Sequence, residues 1–372
     1  MRIHAINAAE GDCLLLESDG AYALIDGGIA GNYAANLQPY LLQEIGAAGH
    51  LEVILVSHVD TDHITGIIDL LADIERARAD GEPDDPVEVG DLWHNSFGTT
   101  LETATGALFA NLQAMMSQAG RANFAAANGS VALLGIAQGA RLQRKAAQLG
   151  ISLNGFFGGK RITQETMVGQ TWSLGGADFV VAGPTIANLK ELQDDWIKWI
   201  ERNMDAFALG NSQAMANADK SVPNLSSIVL FGSTPHGDIL LTGDARGDHI
   251  LQGLEQGGLI AAGATRSLRL LKVQHHGSDR NVAADFFKRL PADIYLISAN
   301  GKHGNPDDEV LAMIVDLAHA DNRKPLIVVT NEAPSLAWLR QNRPQAQFGY
   351  ELIVRDPGKH AVLIDLVSGD AV

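Results

Sequence analysis

Residues 51–66 read Leu51-Glu-Val-Ile-Leu-Val-Ser57-His-Val-Asp-Thr-Asp-His-Ile-Thr-Gly66, and this run decides the fold. It opens as an apolar strand, Leu51 to Val56, and then places His58, Asp60, Asp62 and His63 within six positions. From Ile64 to about Arg78 the apolar residues return at helical spacing, so the polar cluster occupies the turn between a strand and a helix. The strand gives such a turn rigidity, and the turn lets alternate side chains converge. Imidazoles mixed with carboxylates suit zinc, or manganese and iron where carboxylates are numerous.

The rest of the chain is consistent with a folded enzyme. At 372 residues, 46% of them hydrophobic, it has ample material for a large core. We expect one domain over 1–372, with a helical insertion over 95–170. The single cysteine, Cys13, lies in a strand-like run and reads as a buried apolar residue; no internal disulfide is available. No long apolar run marks a signal peptide or a membrane span, so a cytoplasmic protein is expected. The formal charge of −17 disfavours tight, sequence-independent binding to nucleic acid or anionic lipid. Metal ions can nevertheless make a locally positive cleft in an acidic protein, so nucleic acid stays open as a substrate.

Along the chain, Arg2 to Ile6, Cys13 to Glu17 and Ala21 to Ile25 form short apolar runs separated by turn residues, the pattern of a β-meander. Residues 33–48 and 64–79 read as helices, and 87–93 as a strand. Residues 101–150, rich in Ala, Gln and Leu, read as two or three helices that form an insertion or a lid. Strands are expected at 172–182, 227–231, 238–242, 268–274, 294–298 and 326–330. Helices are expected at 189–207, 247–260, 282–290 and 307–319. Strands and helices that alternate after an opening meander imply an α/β protein of two mixed β-sheets flanked by helices.

Further polar residues stand at strand ends. Asp26 closes Leu24-Ile-Asp-Gly-Gly28 and is read as supporting a metal shell from a tight turn. Asp244 closes Ile239-Leu-Leu-Thr-Gly-Asp244, where a carboxylate can bridge two dications. His275 and His276 follow the strand that ends at Gln274; adjacent histidines on a strand point to opposite sides, so one would bind metal while the other supports it or meets substrate. Which is the ligand stays open. His94, His303 and Asn305 lie in strand-end loops and are weaker candidates. Lys272 is read as packing or pairing with an acid.

The ordered series Asp26-Gly-Gly, His58-x-Asp60-x-Asp62-His63, Thr242-Gly-Asp244 and His275-His276-Gly-Ser278 resembles the metallo-β-lactamase superfamily. Gly11-Asp12 before a strand, Asp60 where many relatives have histidine, Asn224-Leu-Ser-Ser227 and Leu271-Lys-Val-Gln-His-His-Gly-Ser278 resemble more specifically the metallo-hydrolase domain of the DNA-uptake protein ComEC. The resemblance covers most of 1–320 and implies an αββα sandwich with two divalent ions, zinc first and manganese second. His58 and Asp60 would then serve one ion, Asp62, His63 and one of His275/His276 the other, and Asp244 would bridge. Two departures stand out. Val180-Val-Ala-Gly-Pro-Thr185 lacks a histidine that many members carry there, and Gly304-Asn-Pro306 stands where the ComEC type has Gly-His-Pro. One ion is therefore short of a protein ligand unless His94 substitutes.

These readings give a metal-dependent hydrolase in which paired ions activate water, with Asp62 placed to orient it and His275 or His276 to assist. A phosphodiester, small or nucleic, is the expected substrate. Alternatives are a lactone, a β-lactam or a phosphocholine ester, or a non-catalytic binding module of the same fold. The sequence shows no membrane-channel segment, so a role in DNA uptake is not expected to carry over.

Overall fold

Almost every apolar run of the first hundred residues becomes a strand that is covered on both faces. The computed structural model describes residues 1–95, 131–191, 194 and 226–372. The expected meander is β1 (Arg2–Ile6), β2 (Leu14–Ser18) and β3 (Ala21–Ile25), antiparallel throughout. From β3 the sheet continues in parallel through β4 (Gly49–Val56), β5 (Val87–His94) and the short β6 (Ser152–Leu153). Side chains alternate across it. Ile3, Ala5, Leu14, Leu16, Ala23, Ile25, Val53 and Leu55 face one core, while Ile6, Leu15, Leu24, Ile54 and Val56 face another.

The second sheet begins with antiparallel β7 (Trp172–Leu174), β8 (Ala177–Gly183), β9 (Val229–Thr234) and β10 (Gly237–Leu241). It turns parallel through β11 (Leu268–Lys272), β12 (Ala292–Ile297), β13 (Leu326–Val329) and β14 (Glu351–Val354). Strand β15 (Ala361–Asp365) returns to the first sheet, antiparallel to β1. The sheets stack, and Trp93, Phe179, Leu230, Leu241, Leu270 and Leu296 lie in the core between them.

Helices complete the outer layers. Against the first sheet lie α1 (Gln38–Ile45), α2 (Thr61–Asp80) and α3 (Val131–Leu149). Against the second lie α4 (Gly247–Gln256), α5 (Ala284–Arg289), α6 (Asp308–Ala320) and α7 (Pro334–Asn342), followed by the single turn α8 (Gln345–Phe348). The result is the expected four-layer arrangement of helix, sheet, sheet, helix. In α2 the apolar stripe Ile64, Ile67, Ile68, Leu71 and Ile74 is fully buried, each residue contributing about 1.5–3 kcal/mol of transfer free energy. Gly81 ends the helix in the left-handed region, its N–H donating to the carbonyls of Ala77 and Arg78.

Several expectations need correction. The run 172–182 is not one strand: Gly175 and Gly176, both at positive φ, fold it into the β7–β8 hairpin. The helix expected over 33–48 starts as a π-helical turn, Tyr33–Leu37, before α1. The described part of the 95–170 insertion is helical only through α3; after it come β6 and 3-10 turns that pack beside β5. The helices expected within 101–130 and most of the one at 189–207 lie outside the described residues. No element was read beyond residue 330, yet β14 and β15 there form an edge of each sheet. Among the described residues no helix is long and apolar enough to cross a membrane.

Helix α2 is docked on the Asp26-Gly-Gly28 turn backbone to backbone. The Gly27 N–H donates to the His63 carbonyl at 2.8 Å, and the Gly66 N–H to the Gly28 carbonyl at 3.1 Å. A Cβ on Gly66 would lie 1.9 Å from the Gly27 oxygen, which no side-chain rearrangement can relieve. Gly66→Ala should therefore destabilise the protein by about 1–3 kcal/mol, the usual range for overpacking. Urea unfolding measures this, and an unchanged midpoint would refute the docking.

Candidate metal centre

The carboxyl ends of β3, β4, β10 and β11 open onto one edge of the stacked sheets, and the polar residues collect there. Strand β4 delivers Ser57 and His58, after which α2 begins with Asp60 at its N-cap position. Asp60 makes no capping hydrogen bond, and its Oδ1 is buried without a partner. Asp60 thus stands at the start of the helix without capping it. Asp12 enters from the loop before β2, where Gly11 lies so close to Asp62 that a Cβ would meet its carbonyl at 1.8 Å.

Asp26 fixes the orientation of two imidazoles. One of its oxygens accepts the Ser57 N–H at 2.7 Å; the other accepts the Ser57 hydroxyl at 2.6 Å and lies 2.8 Å from His63 Nδ1. A carboxylate can only accept, so Nδ1 of His63 carries the proton. The Ser57 hydroxyl spends its one proton on Asp26, so it accepts from His58 Nδ1 at 3.1 Å. His276 donates its Nδ1 proton to the Ser298 carbonyl at 2.9 Å. All three rings thus turn Nε2 inward, and none of those three buried atoms has a hydrogen-bond partner.

Those atoms meet carboxylates. Asp244 stands among the imidazoles, with Oδ1 at 3.4 Å from His63 Nε2, and Oδ2 at 3.4 Å from His276 Nε2 and 3.8 Å from His58 Nε2. Asp62 lies 3.5 Å from His276 Nε2 and 4.0 Å from His63 Nε2, and Asp60 lies 3.6 Å from His58 Nε2. The rings of His58 and His63 lie tilted to each other with centroids 4.1 Å apart, and His276 lies 5.2 Å from His63. Donor atoms converge in four sets: His58/His63/Asp244, Asp62/His63/His276, Asp12/Asp244/His276 and Asp12/Asp26/His63.

The electrostatics follow from this crowding. Burial opposes protonation of His63 and His276, but the surrounding carboxylates, Asp244 foremost for each, outweigh it and raise both pKa values. Burial likewise opposes ionisation of Asp244, yet His276, His63 and His275 reverse the effect and lower its pKa. The carboxylates around His63 and His276 therefore favour positive charge at these two Nε2 atoms, which a proton or a divalent cation can supply.

The expected strand geometry of the histidine pair does not hold. β11 stops at Lys272, and His275, His276 and Gly277 all take positive φ (48°, 55° and 82°) in a tight turn. Asp26, also at positive φ (57°), adds to the backbone strain gathered at this edge. The turn buries His276 inside the cluster, while His275 stays part-exposed with Nε2 3.9 Å from Asp244. Asn305 Nδ2 donates to the His275 carbonyl at 3.4 Å and so braces the turn.

Two weaker candidates join none of the converging sets. His94 is buried at the end of β5, in register with Val56, and burial drives its pKa down to about 4. His303 is exposed in the loop after β12. In the Val180–Thr185 segment, expected to lack a histidine ligand, Thr185 is buried and bonded to Asn188, and offers no imidazole.

Sequence reasoning missed Asp12 as a site residue. Lys272, read as the partner of an acid, is that partner: it is buried and ion-paired with Asp12. Burial alone would raise the Asp12 pKa, but the Lys272 ammonium, with His276, holds it at about 2. Gly11-Asp12 ahead of a strand was the available signal, and it looks like an ordinary turn until Lys272 is brought across from the other sheet.

Residues 7–98 match the family model described as the metallo-beta-lactamase superfamily. The matched stretch carries Asp12, Asp26 and His58 to His63, and the four-layer architecture is consistent with the sandwich of that superfamily. No curated protein matches the chain. The match and the converging donors together point to divalent-metal binding and a metal-dependent hydrolase, without specifying the metal, the bond or the substrate.

Asp26→Ala removes the acceptor that orients His63 and, through Ser57, His58. Metal affinity should fall about 10–100-fold, read by chelator competition; unchanged affinity would exclude the orienting role. His276→Ala should lower the bound-metal content while His275→Ala retains it, a contrast that elemental analysis of the two dialysed variants resolves.

Proposed function

We propose that this cluster holds two divalent metal ions, zinc first and manganese as the alternative, and that the protein hydrolyses phosphodiester bonds. The observation that carries the reading is the convergence of three buried, inward-turned Nε2 atoms with the Asp62 and Asp244 carboxylates, to which Asp60 adds an oxygen 3.6 Å from His58 Nε2. A donor set of imidazole and carboxylate with no thiolate suits zinc or manganese. His58, Asp60 and Asp244 would hold one ion; Asp62, His63 and His276 would hold the other, and the central Asp244 would face both. Bound there, a pair of dications lowers the pKa of water and offsets charge on the substrate oxygens.

The residues of the chain supply the remaining functions. Asp62, the least buried of the five aspartates in the cluster, is placed to accept a proton from the attacking water. His275, part-exposed beside Asp244, could donate to a non-bridging oxygen of the substrate. Asp26, Ser57 and the Ser298 carbonyl keep the imidazoles aimed while charge shifts in the site. The preference for a phosphodiester rests on the sequence likeness to ComEC-type metallo-hydrolase domains, and on the suitability of paired cations for charge on equatorial oxygens. The overall acidity favours a small diester over long nucleic acid.

Purified protein should carry close to two metal ions per chain and turn over bis-p-nitrophenyl phosphate when zinc or manganese is supplied. Asp244→Ala should lower the bound metal and reduce turnover by at least about 100-fold. Two ions with no diesterase activity, but turnover of a lactone, a β-lactam or a phosphocholine ester, would replace the substrate class. Wild-type turnover in Asp244→Ala would remove Asp244 from the site.

A further inference from the structure

Two of the four converging donor sets contain Asp12, and both are blocked by the same group. Lys272 is 1% exposed; its Nζ is ion-paired with Asp12 Oδ2, donates to the Gly243 carbonyl at 3.2 Å and lies 4.0 Å from Asp244 Oδ1. We propose that Lys272 is a built-in cation that occupies a place the cluster would otherwise offer to a metal, confining divalent ions to His58/Asp60/Asp244 and Asp62/His63/His276. The inference rests on the two-ion reading above and adds what limits the number of ions.

The geometry explains why an ammonium is needed. Asp12 comes from the first sheet and Lys272 from the second, so their pairing spans the layers directly behind the metal-facing side chains. Asp12 Oδ1 lies 3.4 Å from His276 Nδ1, and Oδ2 lies 3.9 Å from His63 Nδ1. Without the lysine, a buried carboxylate would face these rings beside Asp244, a combination of two carboxylates and an imidazole that binds divalent ions. An ion drawn there would displace the His276 Nδ1 proton and share Asp244 with the working pair. The ammonium satisfies Asp12 with a single fixed charge and leaves the Nδ1 proton of His276 on the Ser298 carbonyl. It also holds the Gly243 carbonyl, and with it the Thr242-Gly243-Asp244 turn that presents Asp244.

The test counts zinc per chain by elemental analysis after equilibrium dialysis, and measures affinity by chelator competition, for four proteins. Wild type should bind two ions. Lys272→Met should bind a third, because Asp12 becomes an available ligand, whereas Lys272→Arg keeps the charge and should stay at two. The double variant Asp12→Asn/Lys272→Met, which removes the ligand together with its guard, should return to two ions with affinity within about tenfold of wild type. The double variant also serves if Lys272→Met does not fold. Two ions of unchanged affinity in Lys272→Met would overturn the role of the lysine and leave the dinuclear reading intact. A double variant that binds fewer than two ions would show that the pair builds the site rather than guarding it, and would also overturn the proposal. A wild type that binds no zinc would overturn both readings together.

Discussion

Five aspartates, Asp12, Asp26, Asp60, Asp62 and Asp244, are gathered at one edge of two stacked sheets, and four of them are buried. Removing that much negative charge from water is costly unless each carboxylate meets a donor or a cation. The local architecture is the solution to this constraint. Asp26 is satisfied by the Ser57 backbone, the Ser57 hydroxyl and His63, and Asp12 by Lys272. The charge of the remaining three is directed at a ring of imidazoles whose outer nitrogens are already committed.

The fold meets the constraint with parallel strands. Because β3, β4 and β5 run in parallel in one sheet, and β10, β11 and β12 in the other, their carboxyl ends can deliver side chains to one edge from both layers. Close backbone packing then sets the spacing. Glycines at 11, 27 and 66 let the loop before β2, the turn after β3 and the first turns of α2 approach at distances no Cβ would allow. Left-handed backbone at Asp26, His275 and His276, at roughly 1 kcal/mol or more each, is the local cost of aiming these side chains inward. That cost is tolerable because three large apolar cores hold the layers around the edge.

The layered fold was readable from residues whose meaning is local. Alternating or continuous apolar runs gave strands, spacing of three and four gave α2, and their order gave two mixed sheets with helices outside. The misreadings also have local causes. Gly175-Gly176 has no apolar pattern of its own, so a hairpin was read as one strand. The returning strand β15 is set by its pairing with β1, some 360 residues earlier in the chain, which no window of sequence contains.

The sequence by itself determined that the chain folds as layered α/β, and that His58, Asp60, Asp62, His63, Asp244 and a histidine pair stand at strand ends with metal-binding chemistry. These facts follow from periodicity and residue type, which short-range physics sets. Only the tertiary structure separated His276, turned into the cluster, from His275 at its rim, because that difference rests on a left-handed turn braced by Asn305 and on the Ser298 carbonyl. Only it showed that His94 and His303 stay outside the converging sets, and that Asp12 and Lys272 form a buried pair. Ion pairs across layers depend on distance in space, and 260 residues of intervening chain carry no trace of it.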